Sequence, residues 1–173
     1  MTRRVAILTG PGFQDEEFVY PYYRFREDCE VVVATTTGTD VFGKYGVPAR
    51  SATRFDDLDP SEFDLVYLPG GFEAPDRVRN EESALNFVRG MHNLNKGIAA
   101  ICHGPWILVS ANVIGGRRVT GFPSIRQDLI NAGGTYLDEP VVVDGNLVTA
   151  PHYRNNPEFM LATLEMLNGL PSR

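Results

Sequence analysis

The sequence predicts an α/β fold: a mainly parallel sheet with helices on both faces and small antiparallel hairpin additions. Four short apolar runs, at residues 5–8, 31–34, 65–68 and 98–101, have the length and composition of strands buried on both faces. Segments with helical spacing separate most of them, and strand–helix–strand alternation sets neighbouring strands parallel through right-handed crossovers. At 173 residues the chain has the size of one domain with its own hydrophobic core, so residues 1–173 are read as a single domain.

The first run follows Met1-Thr2-Arg3-Arg4 directly and is too short for a signal peptide, so it reads as the first strand. Residues 15–27 come next, with Phe18, Tyr22 and Phe25 on one side and acids in the first turn that favour the helix dipole. Pro21 predicts a kink there. After the second strand, Phe42-Gly43-Lys44-Tyr45-Gly46 predicts a hairpin. The third strand ends at Pro69-Gly70-Gly71. Residues 83–95 place Leu85, Val88, Met91 and Leu94 at intervals of three, with Gly97 as the expected left-handed cap.

The fourth strand leads through Cys102 into a short helix at residues 106–110. Residues 141–143 and 146–148 flank Asp144-Gly145 as a second hairpin. Asn156-Pro157 supplies an expected N-cap and first-turn proline for a closing helix that carries Phe159, Leu161, Leu164 and Leu167.

Composition removes several function classes. A net charge of -6 with no Lys or Arg block gives no footprint for nucleic acid or an anionic membrane surface. No apolar run approaches the roughly 20 residues of a membrane span. Two distant cysteines, Cys29 and Cys102, make no disulfide framework, and without an export signal the expected compartment is the reducing cytoplasm. The three histidines, His92, His103 and His152, stand singly, which predicts no metal site. No G-x-G-x-x-G occurs, so nucleotide binding is disfavoured and no cofactor is expected.

The chemistry points to Cys102. In Ala100-Ile101-Cys102-His103-Gly104-Pro105 the cysteine falls where a strand turns sharply into a helix. A nucleophile on such an elbow takes a strained backbone conformation that needs small residues two before and two after it, here Ala100 and Gly104. The turn aims backbone N–H groups at the sulfur, which predicts a lowered thiol pKa and an oxyanion hole. His103 is the adjacent general acid or base. Gly70 and Gly71, at the end of a parallel strand, let backbone N–H groups approach a substrate oxygen. Of Asp15, Glu16 and Glu17, mostly a solvated first turn, Glu17 is the carboxyl chosen to reach Cys102 and donate to its thiolate. Cys29, flanked by acids, is the less reactive thiol. His92 reads as a surface residue, whereas His152 lies at a strand end suited to lining a cleft.

Taken together, Tyr20-Pro21-Tyr22, Gly43-Lys44, Leu68-Pro69-Gly70-Gly71, the run from Ala74 to Arg79, Ile101-Cys102-His103-Gly104-Pro105, Ile130-Asn131-Ala132-Gly133 and Val143-Asp144-Gly145-Asn146 resemble the ThiJ/PfpI family nearly end to end. The resemblance implies the flavodoxin-like sheet shared with class I glutamine amidotransferases. It implies Cys102 as nucleophile, His103 as its base and Glu17 as the carboxylate at the cysteine, with Lys44, Phe122 and His152 beside the substrate. It also implies that an acid at the position of Asp76 comes from an adjacent subunit to orient the histidine, hence a homodimer or higher homo-oligomer. The chain departs from the family pattern at Asp76, where glutamate is usual, at Phe122, where tyrosine is frequent, at Gln14, where a close relative has glutamate, and in residues 151–156.

The expected function is therefore a cysteine-dependent enzyme acting on small carbonyl, amide or peptide substrates. The resemblance implies either a peptidase or amide hydrolase, or a glyoxalase III or deglycase acting on α-oxoaldehydes and their adducts. The alternative from a different class is a non-catalytic redox-sensing stress protein or chaperone that uses the same cysteine.

Overall fold

The four apolar runs form the middle of one seven-stranded sheet in this computed structural model, which describes residues 2–171. In chain order the strands and helices are β1 (Arg3–Leu8), α1 (Asp15–Arg26), β2 (Cys29–Thr35), β3 (Val41–Phe42), β4 (Pro48–Ala49), β5 (Thr53–Arg54), β6 (Leu65–Leu68), α2 (Glu73–Val78), α3 (Glu82–Asn93), β7 (Gly97–Ile101), α4 (Pro105–Ala111), β8 (Arg118–Val119), α5 (Arg126–Asn131), β9 (Thr135–Tyr136), β10 (Val142–Asp144), β11 (Leu147–Ala150) and α6 (Asn156–Gly169). The sheet order is β10-β11-β7-β6-β1-β2-β5, parallel throughout except for the β10–β11 hairpin at one edge.

Alternation along the strands sorts the core into two layers. Val5, Ile7, Leu65, Tyr67, Ala99 and Ile101 face α1 and α6 through Phe18, Phe25, Phe159, Met160 and Leu167. Ala6, Leu8, Val66, Leu68, Ile98 and Ala100 face the opposite way, onto α3, α4 and α5. Each large apolar side chain buried in this way stabilises the fold by about 1.5–3 kcal/mol. Both faces are covered, as a parallel sheet requires.

Helix α1 runs from Asp15 to Arg26 with Pro21 inside it, close to the expected bounds. Several other boundaries differ from the sequence expectations. Asn95, at φ +53°, takes the left-handed position after α3, while Gly97 opens β7. The N-cap position of the closing helix falls to Asn155, whose side chain makes no capping bond, and the Asn156 side chain donates to the Glu16 carbonyl at 2.9 Å. Leu94 and Leu161 are exposed, so the apolar stripes of α3 and α6 are narrower than their leucines suggest. Both hairpins form, as β3–β4 and β10–β11. The short elements α2, α5, β5, β8 and β9 carry too few residues for periodicity to announce them.

The loops after β1, β6, β7 and β11 emerge side by side at the carboxyl edge of the sheet, because these strands are parallel neighbours. Gly70, Cys102 and His152 lie on three of those loops.

Candidate active site

Cys102 is the first residue after β7 and adopts φ +61°, the left-handed region that an L side chain enters at a cost of roughly 1–2 kcal/mol. Flanking contacts hold it there. Its N–H donates to the Ala150 carbonyl at 2.9 Å, and its carbonyl accepts from the Phe122 N–H at 2.9 Å. Gly104 is required two residues on: a Cβ at that position would overlap the Leu68 carbonyl oxygen and stand 2.9 Å from that of Ile101. The sharp turn expected from the sequence is thus present, with the small residue two after the cysteine making room for it.

The sulfur lies at the bottom of a cavity of about 320 Å³ whose lining includes Gln14, Glu17, Lys44, Gly71, Phe122 and His152. Cys102 is 7% exposed, enough to border the cavity while sitting mostly in protein. The backbone N–H groups of Gly71 and His103 point at the sulfur. Gly71 is at φ +82°, a conformation glycine adopts without strain, and that turn presents its N–H.

Glu17, from the first turn of α1, is completely buried against the same sulfur. One carboxyl oxygen, Oε2, accepts from the Gly70 N–H at 2.8 Å. Burial pushes its pKa up to about 8, against the lowering effect of hydrogen bonds from Cys102 and Gly70. The thiol moves the same way. Burial first, and then the Glu17 carboxylate, push Cys102 up, outweighing the Gly71 and His103 N–H groups. This corrects the lowered thiol pKa expected from the turn alone: the two acids face each other away from water, and each disfavours ionisation of the other.

His103 turns Nδ1 toward the Cys102 sulfur at 3.3 Å and Nε2 toward the Ser124 hydroxyl at 3.1 Å. Burial lowers its pKa, so the imidazole is neutral at pH 7 and can take up a proton. Its ring stacks on Phe122 with centroids 4.9 Å apart and meets Trp106 edge-on at 5.1 Å. Phe122 lies 6.1 Å from His152 in turn, giving the cavity an aromatic wall.

Asp15 has a part that the solvated-turn reading did not assign. Its carboxylate is buried and accepts from the Tyr45 and Val47 N–H groups, each at 2.9 Å, which ties the β3–β4 hairpin and Lys44 over the cavity. Ser124 was also outside the sequence reading, since a serine 21 residues from the histidine carries no local signal.

Of the site residues expected from the sequence, Glu17, Lys44, Gly71, Cys102, His103, Phe122 and His152 line one cavity, and Gly70 supports it from behind. Asp76 does not join them: it is exposed on α2 and does not line the cavity of its own chain. His92 is half-buried on α3, also outside the cavity, which corrects its reading as a surface residue. Cys29 is half-buried at the start of β2, its thiol pushed up by burial and by Asp28.

Beside the cavity runs an apolar groove of about 670 Å³ that shares Tyr45 and Tyr153 with it. Among the described residues no cluster of three or more His, Cys, Asp or Glu side chains is arranged to hold a metal ion. No helix among them is long and apolar enough to cross a membrane.

Comparison with known proteins finds relatives along nearly the whole chain. The model of the DJ-1/PfpI family matches residues 3–166. Deglycase PfpI of Pyrococcus furiosus is 43% identical over 150 residues, covering 86% of this chain and 90% of that one. Protein/nucleic acid deglycase 2 of Escherichia coli is 37% identical over 171 residues, 96% of this chain and 99% of its own. The crystal structure of Drosophila melanogaster DJ-1beta superposes with a TM-score of 0.90 at 29% identity, covering 98% of this chain and 92% of that one.

Proposed function

The chain belongs to the DJ-1/PfpI family, and on that premise we propose that it is a cysteine-dependent deglycase acting on adducts of small α-oxoaldehydes with amines, and on the free aldehydes. The observation that carries this reading is the convergence on one sulfur of two backbone N–H groups, a buried carboxyl and a neutral imidazole, in a cavity too small for a folded polypeptide.

In the proposed reaction His103 takes the proton of the Cys102 thiol, and the thiolate, beside a protonated Glu17, attacks the aldehyde-level carbon. His103 gives that proton to the resulting oxyanion or to the departing amine. With a free aldehyde a C–S bond forms, the carbonyl electron pair moves onto oxygen, and the Gly71 and His103 N–H groups hold that oxyanion until it is protonated to a hemithioacetal. With an amine adduct the C–S bond replaces the C–N bond, and the amine departs with a proton. His103 then takes the proton from the sulfur-bearing carbon and returns it to the adjacent former ketone carbon through an enediol, leaving a 2-hydroxy thioester. This is an internal redox exchange: one carbon is oxidised, its neighbour is reduced, and no external electron carrier takes part. Water activated by His103 cleaves the thioester, releasing a 2-hydroxy acid and restoring the cysteine. The apolar groove that shares Tyr45 and Tyr153 gives room for the carrier of the amine.

Phe122 has no hydroxyl to relay protons, and in this scheme it orients His103 by stacking while the imidazole does all the proton transfer. A second copy of the chain is proposed to bring Asp76 to the site, since the acid stands exposed on α2 and does not line the cavity of its own chain.

The test is release of lactate and free amine from methylglyoxal adducts of N-acetyl-arginine and N-acetyl-lysine. Wild type is expected to release both and Cys102→Ala neither. Hydrolysis of unmodified peptides by wild type, with no action on the adducts, would replace this reading with a peptidase.

A further inference from the structure

Tyr67 lies in β6, fully buried, on the sheet face covered by α1 and α6. Its ring is ordinary core, 5.6 Å from Phe25 and 6.0 Å from Phe159 by centroids. A phenol oxygen placed there must find a hydrogen-bond partner or destabilise the fold. It donates to the main-chain carbonyl of Glu17 at 2.5 Å.

That carbonyl is unusual in its helix. In an α-helix each carbonyl accepts from the N–H four residues on, and four residues on from Glu17 is Pro21, which has no N–H. Yet α1 continues to Arg26. The bond that Pro21 cannot supply comes from another element, across the core. Glu17 is thereby held from two points of one segment: its carbonyl by Tyr67 in β6, its carboxyl by the Gly70 N–H just past that strand's end. The next residue of that segment, Gly71, gives its N–H to the cysteine sulfur. A neighbouring link runs from Asn156 to the Glu16 carbonyl at 2.9 Å.

We infer that Tyr67 and Pro21 form one positioning device: the proline opens a carbonyl in α1, the tyrosine fills it, and the pair sets the Glu17 carboxyl against the Cys102 sulfur. Tyr67 touches neither substrate nor the reacting atoms, so it acts through Glu17. The inference rests on the proposed partnership of Glu17 with Cys102, and it is tested by a readout that needs no turnover.

The experiment follows alkylation of Cys102 by iodoacetamide against pH, resolved from Cys29 by peptide mass spectrometry, in Tyr67→Phe, Pro21→Ala and the double variant. Tyr67→Phe keeps the ring and removes the donor, and is expected to move the midpoint of the Cys102 profile by about half a pH unit or more. Pro21→Ala alone is expected to leave the midpoint within about 0.2 units, since it only adds a second donor to a satisfied carbonyl. The double variant is expected to return to the wild-type midpoint within about 0.2 units, because the new N–H at position 21 replaces the phenol. A merely structural tyrosine predicts no such rescue. An unchanged midpoint in Tyr67→Phe overturns the inference, as does a double variant as displaced as the single one. Should Tyr67→Phe not fold, by circular dichroism, a folded double variant with the native midpoint supports the device, and an unfolded or displaced one overturns it. If no substrate is turned over by wild type, the deglycase reading fails while these profiles still decide the role of Tyr67.

Discussion

The Glu17 carboxyl occupies the space that a side chain at Gly70 would need. A Cβ at position 70 would overlap Glu17 Oε2 and approach the Cys102 Cβ to 2.6 Å and the Ile101 carbonyl to 2.8 Å. The residue that donates to the carboxyl must therefore be a glycine, on steric grounds. Gly70→Ala is expected to push Glu17 from the sulfur, lowering kcat/KM on the adducts by about a hundredfold. Overpacking of this core corner is expected to cost about 1–3 kcal/mol. Steady-state kinetics alongside urea denaturation checks both, and activity within threefold of wild type would contradict the tight fit.

Glu17 also makes the stability of the fold depend on pH in a definite direction. Its folded pKa is raised to about 8, above the ordinary value of 4.5. Between those values the native state binds more protons than the unfolded chain, so stability falls as pH rises through that window. Glu17→Gln, neutral throughout, is expected to flatten the slope of unfolding free energy between about pH 5 and 8. Urea midpoints at several pH values provide the measurement. An unchanged slope in the variant would mean that the carboxyl is already ionised in the native chain across that window.

Much of this site was legible in the sequence because its strongest constraints are local. A cysteine between Ala100 and Gly104, straight after an apolar run, specifies a turn regardless of what surrounds it, and the observed φ of +61° is the result. What escaped is set by contacts distant in the chain. Asp15 looked like a helix-dipole acid, and only the approach of Tyr45 and Val47 turns it into a buried anchor. Ser124 meets His103 because the Phe122 N–H is bound to the Cys102 carbonyl, which no spacing rule encodes. The direction of the thiol pKa was missed for the same reason: the turn's N–H groups are visible in sequence, whereas the burial that outweighs them is a property of packing. The Asn95 cap shows the converse, since either Asn95 or Gly97 suits a left-handed end and the β7–β6 register, which pairs Gly97 with Leu65, decides.

Ser124 offers a test of how His103 is held. The serine is exposed, so its removal should leave folding intact, while the imidazole loses the partner of Nε2. Stacking on Phe122 still fixes the ring plane. Ser124→Ala is therefore expected to lower kcat by about three- to tenfold with KM unchanged, a loss typical of one neutral hydrogen bond that orients a base. A change confined to KM would place Ser124 in substrate binding instead.

Asp76 supplies the last test, because its position separates a site contained in one chain from a site shared between two. It is exposed on α2 and outside its own cavity, so if it acts on a histidine that histidine belongs to another copy. Cys102→Ala lacks the nucleophile but keeps Asp76, and Asp76→Asn has the reverse defect. Each alone is expected to be inactive or nearly so. Mixed at equal amounts and allowed to exchange subunits as dimers, half of the dimers pair one chain of each kind, and in those one of two sites holds both an intact Cys102 and an intact partner acid. Activity on the adducts should then recover to about a quarter of wild type. A mixture no more active than the sum of its parts, with subunit exchange verified by native mass spectrometry, would confine the catalytic machinery to a single chain and leave Asp76 outside it.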